Sequence, residues 1–114
     1  MAATGYQKGL WAESFAGLYF NLKGYRVLAE RFKTPIGEID LIVKRGRQLA
    51  FVEVKLRPTA AEALEAVHAR NRARVSRAAE LYLQKHPEYT GCELRFDVLV
   101  LAPYAWPRHI RNAW

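Results

Sequence analysis

A chain of 114 residues, 51% of them hydrophobic, can bury one core without disulfide or metal staples and is too short for two, so residues 1–114 read as a single domain. Its 18 basic against 11 acidic side chains leave a net charge of +7, with arginine dominating the basic set, which favours an anionic, phosphate-bearing partner. The single cysteine, Cys92, excludes an internal disulfide and a cysteine-rich zinc module, and no apolar leader or eighteen-residue apolar run is present, which excludes a membrane span and points to the cytoplasm.

Over 8–23, Trp11, Phe15, Leu18 and Leu22 recur at three- and four-residue steps, predicting an amphipathic helix that ends at Gly24. Glu13 lies near its start and away from that stripe, where by itself it reads as a solvated acid favoured by the helix dipole. Residues 25–32 interleave Tyr25, Val27 and Phe32 with charges and predict a first strand, which Thr34-Pro35 breaks.

Two strand-like runs follow, 37–43 and 51–55, around the turn-like Arg45-Gly46-Arg47-Gln48. They predict a hairpin in which Ile39, Leu41 and Val43 share a face. A turn centred between Gly46 and Arg47 sets Asp40 opposite Glu53 and Glu38 opposite Lys55, all four on one side. Facing Cβ atoms lie roughly 4.5–5.5 Å apart, and like charges at that distance destabilise a sheet. A hard divalent cation offsets the repulsion, because Mg²⁺ takes oxygen ligands and is held by one or two carboxylates. Asp40 and Glu53 are therefore candidate ligands for Mg²⁺ (or Mn²⁺), with Lys55 beside them. The apolar residues around them indicate a hairpin inside a sheet rather than a solvated surface. The histidines, His68, His86 and His109, have no metal-ligand spacing.

After Lys55, Arg57-Pro58-Thr59 ends the strand and caps a helical stretch reaching about 84, bent or interrupted near 68–71. Arg70, Arg74 and Arg77 stand at i, i+4 and i+7 on that stretch, a ridge able to track a phosphate backbone. Residues 94–101 predict an interior strand whose polar members are Arg95 and Asp97, and Asp97 is expected to pair with an arginine. The tail, 103–114, concentrates Tyr104, Trp106, Ile110 and Trp114, which implies docking on the core or a subunit contact in a homodimer. Helix, three strands, helix and strand make a mixed sheet flanked by helices, an α/β fold.

The Asp40 and Glu53-Val54-Lys55 pattern on a hairpin resembles the signature of the PD-(D/E)XK nuclease superfamily. More closely, the chain resembles the YraN-like family of small bacterial endonuclease-like proteins, themselves similar to archaeal Holliday-junction resolvases. The likeness runs through Gly9-Leu10-Trp11-Ala12-Glu13, Gly37-Glu38-Ile39-Asp40-Leu41-Ile42, Phe51-Val52-Glu53-Val54-Lys55 and His109-Ile110-Arg111-Asn112-Ala113. One departure is Asn71, after Ala66-Val67, where the family often carries lysine. The resemblance implies a three-layer αβββαβ restriction-endonuclease core and metal-dependent hydrolysis of DNA, branched or structured, in recombination or repair. It makes Glu13 a third metal ligand and assigns Lys55 to the attacking water or the developing phosphorane charge. Glu38, opposite Lys55, is then expected to hold its ammonium. The rival is a nucleic-acid-binding module of the same fold that cuts nothing. A membrane-surface protein is disfavoured, because the alanine-rich second helix lacks a broad apolar face.

Overall fold

The computed structural model describes residues 5–59, 61–62, 65 and 72–113, with side chains from Trp11 onward. Helix α1 (Gly5–Leu22) leads into strands β1 (Arg26–Lys33), β2 (Glu38–Arg45) and β3 (Gln48–Leu56). Helix α2 (Arg72–Lys85), a short 3₁₀ turn (Pro87–Tyr89), β4 (Glu93–Leu101) and β5 (Arg108–Ile110) complete the order. One sheet runs β1-β2-β3-β4-β5. Every neighbouring pair is antiparallel except β3 and β4, which are parallel and so need the long crossover that contains α2. The αβββαβ order is present, with β4 interior and β5 an addition. Residues 61, 62 and 65 are helical, whereas Arg70, Asn71 and the break expected near 68–71 lie outside the described residues.

Each helix covers one face of the sheet. Ala12, Ala16 and Phe20 of α1 pack on Leu41, Val43, Ala50, Val52, Leu99 and Leu101. Ala78, Ala79 and Tyr82 of α2 pack on Ile39, Ile42, Leu49 and Phe51. The α1 contact reverses the expected orientation of that helix. Trp11, Leu18 and Leu22 are 61%, 56% and 80% exposed, while Ala12, Ala16 and Phe20 are buried. The small side chains of Ala12 and Ala16 let the helix lie close to the sheet, and close packing outweighs the bulk of the other stripe. The helix ends as predicted, with Gly24 N–H bonded to Asn21 O and Tyr25 N–H to Phe20 O, a Schellman closure.

The β2–β3 register is the expected one, Arg45 facing Gln48 and Leu41 facing Val52. Gly46, at φ +60°, occupies the first central position of a two-residue turn, where a type II′ geometry favours glycine. The expectation that Ile39, Leu41 and Val43 share a face is corrected: Leu41 and Val43 face α1, whereas Ile39 faces α2. The β1–β2 register shifts once, between Val27 and Ala29, and Arg31, at φ +51°, puts a residue with a Cβ in the left-handed region.

The tail docks on the core. β5 pairs with β4 through Val98–Ile110, Leu99–His109 and Val100–Arg108, and Ala113 N–H bonds Phe96 O at 2.7 Å. A buried polar network sits beneath this strand. Asp97, fully buried, accepts from Arg95 (2.8 Å), His109 Nε2 (2.7 Å) and Asn112 N–H (3.1 Å). Arg95 also donates to Tyr25 Oη and Gln48 Oε1. Lys23 Nζ lies 2.9 Å from His109 Nδ1; an ammonium only donates, so Nδ1 accepts and the Nε2 proton goes to Asp97. The expected Asp97–arginine pair is thus present.

Candidate metal centre

The β2–β3 ladder stops at Leu41–Val52, and the strands part beyond it. Val54 N–H then donates to Asp40 Oδ2 at 2.8 Å, so the carboxylate takes the place of a strand partner and is fixed in the gap. That gap opens into a cleft of about 80 Å³ lined by Glu38, Ile39, Asp40, Val52, Glu53 and Val75. Its α2 wall depends on Gly37. A Cβ on that residue would lie 3.1 Å from Arg74 O and 3.2 Å from Arg74 Cβ, tighter than ordinary packing, so the missing side chain lets the β1–β2 turn approach the α2 backbone. Thr34 clips the same turn, its Oγ1 accepting from Gly37 N–H at 2.9 Å.

Three elements, α1, β2 and β3, bring acids to this place. Glu13 reaches in from α1, on the edge of the face that α1 turns to the sheet. One oxygen each from Glu13, Glu38 and Asp40 can be found within 4.8 Å of one another. Arg31 joins them, its Nε 3.2 Å from Glu13 Oε2 and 3.6 Å from Glu38 Oε1. Glu53 borders the cluster from β3, with Lys55 Nζ 2.6 Å from its Oε1. Lys55 therefore takes its carboxylate partner from its own strand, and Glu38, expected to hold that ammonium, stands instead with Glu13 and Asp40. The splayed strands explain the exchange, since the ladder that would have set Glu38 against Lys55 has already ended.

The electrostatics mark Asp40 as the centre of the group. Burial pushes its carboxyl up to about 6, helped by the charges of Glu53, Glu13 and Glu38 and opposed by the Val54 N–H. Burial also raises Glu13, with Glu38 and Glu30 adding to the shift and Arg31 and Lys33 opposing it. A set of carboxylate oxygens without thiolate or imidazole suits a hard cation. Neighbouring oxygens on an octahedral Mg²⁺ stand roughly 3.0 Å apart and opposite ones roughly 4.2 Å, so the three acids must draw together, by up to about 2 Å, to share one. Glu13, Glu38 and Asp40, with Glu53 adjoining, thus form a set able to hold such an ion.

Arg31 is a member of this group that sequence patterns did not place there, whereas Glu38, expected opposite Lys55, is present with other partners. Nothing in the sequence around Arg31 signals a left-handed residue, a role that ordinarily falls to glycine or asparagine. On α2, Arg74 and Arg77 are exposed, and Arg74 adjoins the cleft through Gly37 and Val75. Arg70 lies outside the described residues.

The family model described as Uncharacterised protein family UPF0102 matches residues 12–101, a span that includes Glu13, Asp40, Glu53 and Lys55. The chain is 51% identical to a UPF0102 protein of Parvibaculum lavamentivorans, over 98% of this chain and 86% of that one. It is 56% identical to a UPF0102 protein of Methylorubrum extorquens, over 94% and 84%. With one of Nitrobacter winogradskyi the identity is 44%, over 100% and 97%. The chain therefore belongs to Uncharacterised protein family UPF0102, which is the YraN-like family that its motifs resemble.

Proposed function

We propose that this protein is a metal-dependent endonuclease of the PD-(D/E)XK type that hydrolyses phosphodiester bonds in DNA, with branched or structured DNA as its substrate. The observation that carries the reading is Asp40. It is a largely buried carboxyl, raised to about 6 and surrounded by Glu13, Glu38 and Glu53, in a cleft bordered by a lysine. Gathering like charges this closely costs stability, and a site that binds a cation recovers the cost.

Asp40, Glu13 and Glu53 would hold Mg²⁺ or Mn²⁺, and Glu38 stands close enough to share the task. The bound ion would supply charge neutralisation at the phosphate and an activated water near neutral pH. Asp40, titrating near 6, can exchange its proton for a cation in that range. Lys55, fixed by Glu53 at 2.6 Å, is placed beside the ligands to donate to a water or to a phosphate oxygen in which charge develops. Arg31 neutralises Glu13 and Glu38 in the metal-free protein and is the group that an entering cation would replace. Arg74 and Arg77 offer exposed guanidinium groups for the flanking phosphates.

Incubating the protein with Mg²⁺ or Mn²⁺ and labelled four-way junctions, flaps, duplex and single strands tests the reading. Wild type should cut at least one branched substrate, and Lys55→Ala should cut none while still binding Mn²⁺ in calorimetry. If wild type binds these DNAs but cuts none with either metal, the protein is a binding module of the same fold and the nuclease assignment falls.

The arginine ridge should supply affinity rather than chemistry. Arg74→Glu with Arg77→Glu is expected to weaken DNA binding broadly and to flatten its dependence on salt, the log–log slope falling by roughly 0.9 for each phosphate that is no longer neutralised. Mn²⁺ affinity should not change. Unchanged DNA affinity and salt slope in the double variant would make the ridge a solvated face.

A further inference from the structure

The side of α1 left uncovered by the sheet carries Trp11, Leu18 and Leu22, with Phe15 at its border and packed in part against the core. Trp11, Leu18 and Leu22 are 61%, 56% and 80% exposed, and Phe15 is half-buried. The spacing of four, three and four residues is that of a coiled-coil seam two heptads long, with Trp11 and Leu18 at one type of core position and Phe15 and Leu22 at the other. The apolar surface does not stop at the helix. Trp11 and Phe15, stacked at 5.6 Å, form one wall of a groove of about 350 Å³ that Leu56, Leu101, Tyr104 and Pro107 complete. Tyr104 and Trp106 are essentially fully exposed.

Apolar surface on this scale marks an interaction site, and charge narrows the choice of partner. In a chain with 18 basic residues, the stretch 11–22 contains none, and its one charged residue, Glu13, is turned toward the acid cluster. A nucleic-acid surface requires lysine or arginine among its aromatics, and a membrane-surface helix is rich in lysine or arginine on its polar face. This face has neither. A heptad seam matches another heptad seam, and a second copy of the chain presents the same one about a twofold axis.

The area is sufficient for such a pairing. Tyr104 and Trp106, at roughly 150–250 Å² each, bring about half of the ~800 Å² per partner that a standard interface buries. The α1 seam supplies the rest.

We propose that the protein is a homodimer in which the Trp11, Phe15, Leu18 and Leu22 face of α1 packs against the same face of a second copy, flanked by the Tyr104 and Trp106 loops. The interface lies outside the cleft and does not depend on the nuclease reading. It leaves both acid clusters accessible, since Glu13 points into the fold and the seam points out of it.

Sedimentation equilibrium across a concentration series tests the dimer. Wild type should sediment at twice the chain mass at tens of micromolar, whereas Leu18→Glu and Leu22→Glu should each sediment as monomers with unchanged far-UV circular dichroism. Both positions are more than half exposed in the single chain, so neither change disturbs the core. Leu18→Cys in a Cys92→Ser background gives a second readout. Leu18 is near the middle of the seam, so its two copies approach whichever way the helices run, and mild oxidation should cross-link the protein efficiently. A wild type that stays monomeric at several hundred micromolar overturns the proposal, and so does a dimer that both glutamate variants leave intact. Co-sedimentation of a monomeric wild type with phosphatidylglycerol vesicles, lost in Leu18→Glu, would overturn it in favour of a lipid surface.

Discussion

Asp40→Asn should make the metal-free protein more stable while abolishing cleavage. Asparagine keeps an oxygen for the Val54 N–H and removes the charge that Glu13, Glu38 and Glu53 oppose. Because burial and those charges raise Asp40 to about 6, its folded form holds a proton more tightly than the unfolded chain does. The associated stability is fully present below about pH 4 and is lost as pH rises through about 6. At ~1.4 kcal/mol per pKa unit, ionising Asp40 costs the fold on the order of 2–3 kcal/mol. Denaturant melts with chelator should therefore show the variant above wild type at pH 7.5 and the two converging toward pH 4. Mn²⁺ should raise the wild-type Tm as RT ln(1 + [L]/Kd) and move the variant little. Cleavage should fall by more than the roughly 10- to 100-fold that loss of even an outer partner of a metal ligand costs. A variant several kcal/mol less stable than wild type at pH 7.5 would make Asp40 a structural acid with a satisfied partner, and the metal assignment would fail.

Asp97→Asn should be the most destabilising isosteric change in the chain. Burial alone would raise Asp97, but hydrogen bonds from His109, the Asn112 N–H and Arg95 more than offset it and hold the carboxyl below its ordinary range. That stability is present above the unfolded pKa and is lost as pH falls through the lower folded value. Removing the charge leaves Arg95, itself buried, without its counter-ion. Breaking a buried pair in this way costs about 3–5 kcal/mol, which for a domain of this size lowers Tm by roughly 10 °C or more. His109 and Asn112 are also released, so β5 should lose its hold on β4, visible as faster amide exchange at Ile110 and Ala113. A loss of less than about 1 kcal/mol would show that Arg95, Tyr25 and Gln48 satisfy one another without the acid.

The sheet was legible wherever local chemistry decides structure. Gly46 marks its own turn, because few residues take φ near +60°, and the turn fixes which β3 residue faces which β2 residue. Asp40 and Glu53 could therefore be brought together from spacing alone. Asp97 could be assigned an arginine partner because an acid in an apolar strand must be paired when buried.

What spacing could not supply is the choice between two apolar faces. In α1 both the Trp11, Phe15, Leu18, Leu22 stripe and the Ala12, Ala16, Phe20 stripe repeat at helical intervals, so periodicity identifies a helix without identifying its buried side. The sheet selects the second stripe because two alanines allow close approach, and Glu13 is thereby carried from an apparently solvated position to the acid cluster. Arg31 is a similar case. Its backbone is left-handed and its guanidinium stands between Glu13 and Glu38, and no local preference of arginine announces that conformation. By itself the sequence determined the strands and the β2–β3 register, since these depend on neighbours within a few residues or across one turn. Only the tertiary structure decided which side of α1 faces the sheet, where the β2–β3 ladder opens, and that Glu38 joins Glu13 and Asp40 while Lys55 pairs with Glu53, because those outcomes depend on contacts between segments that no periodicity connects.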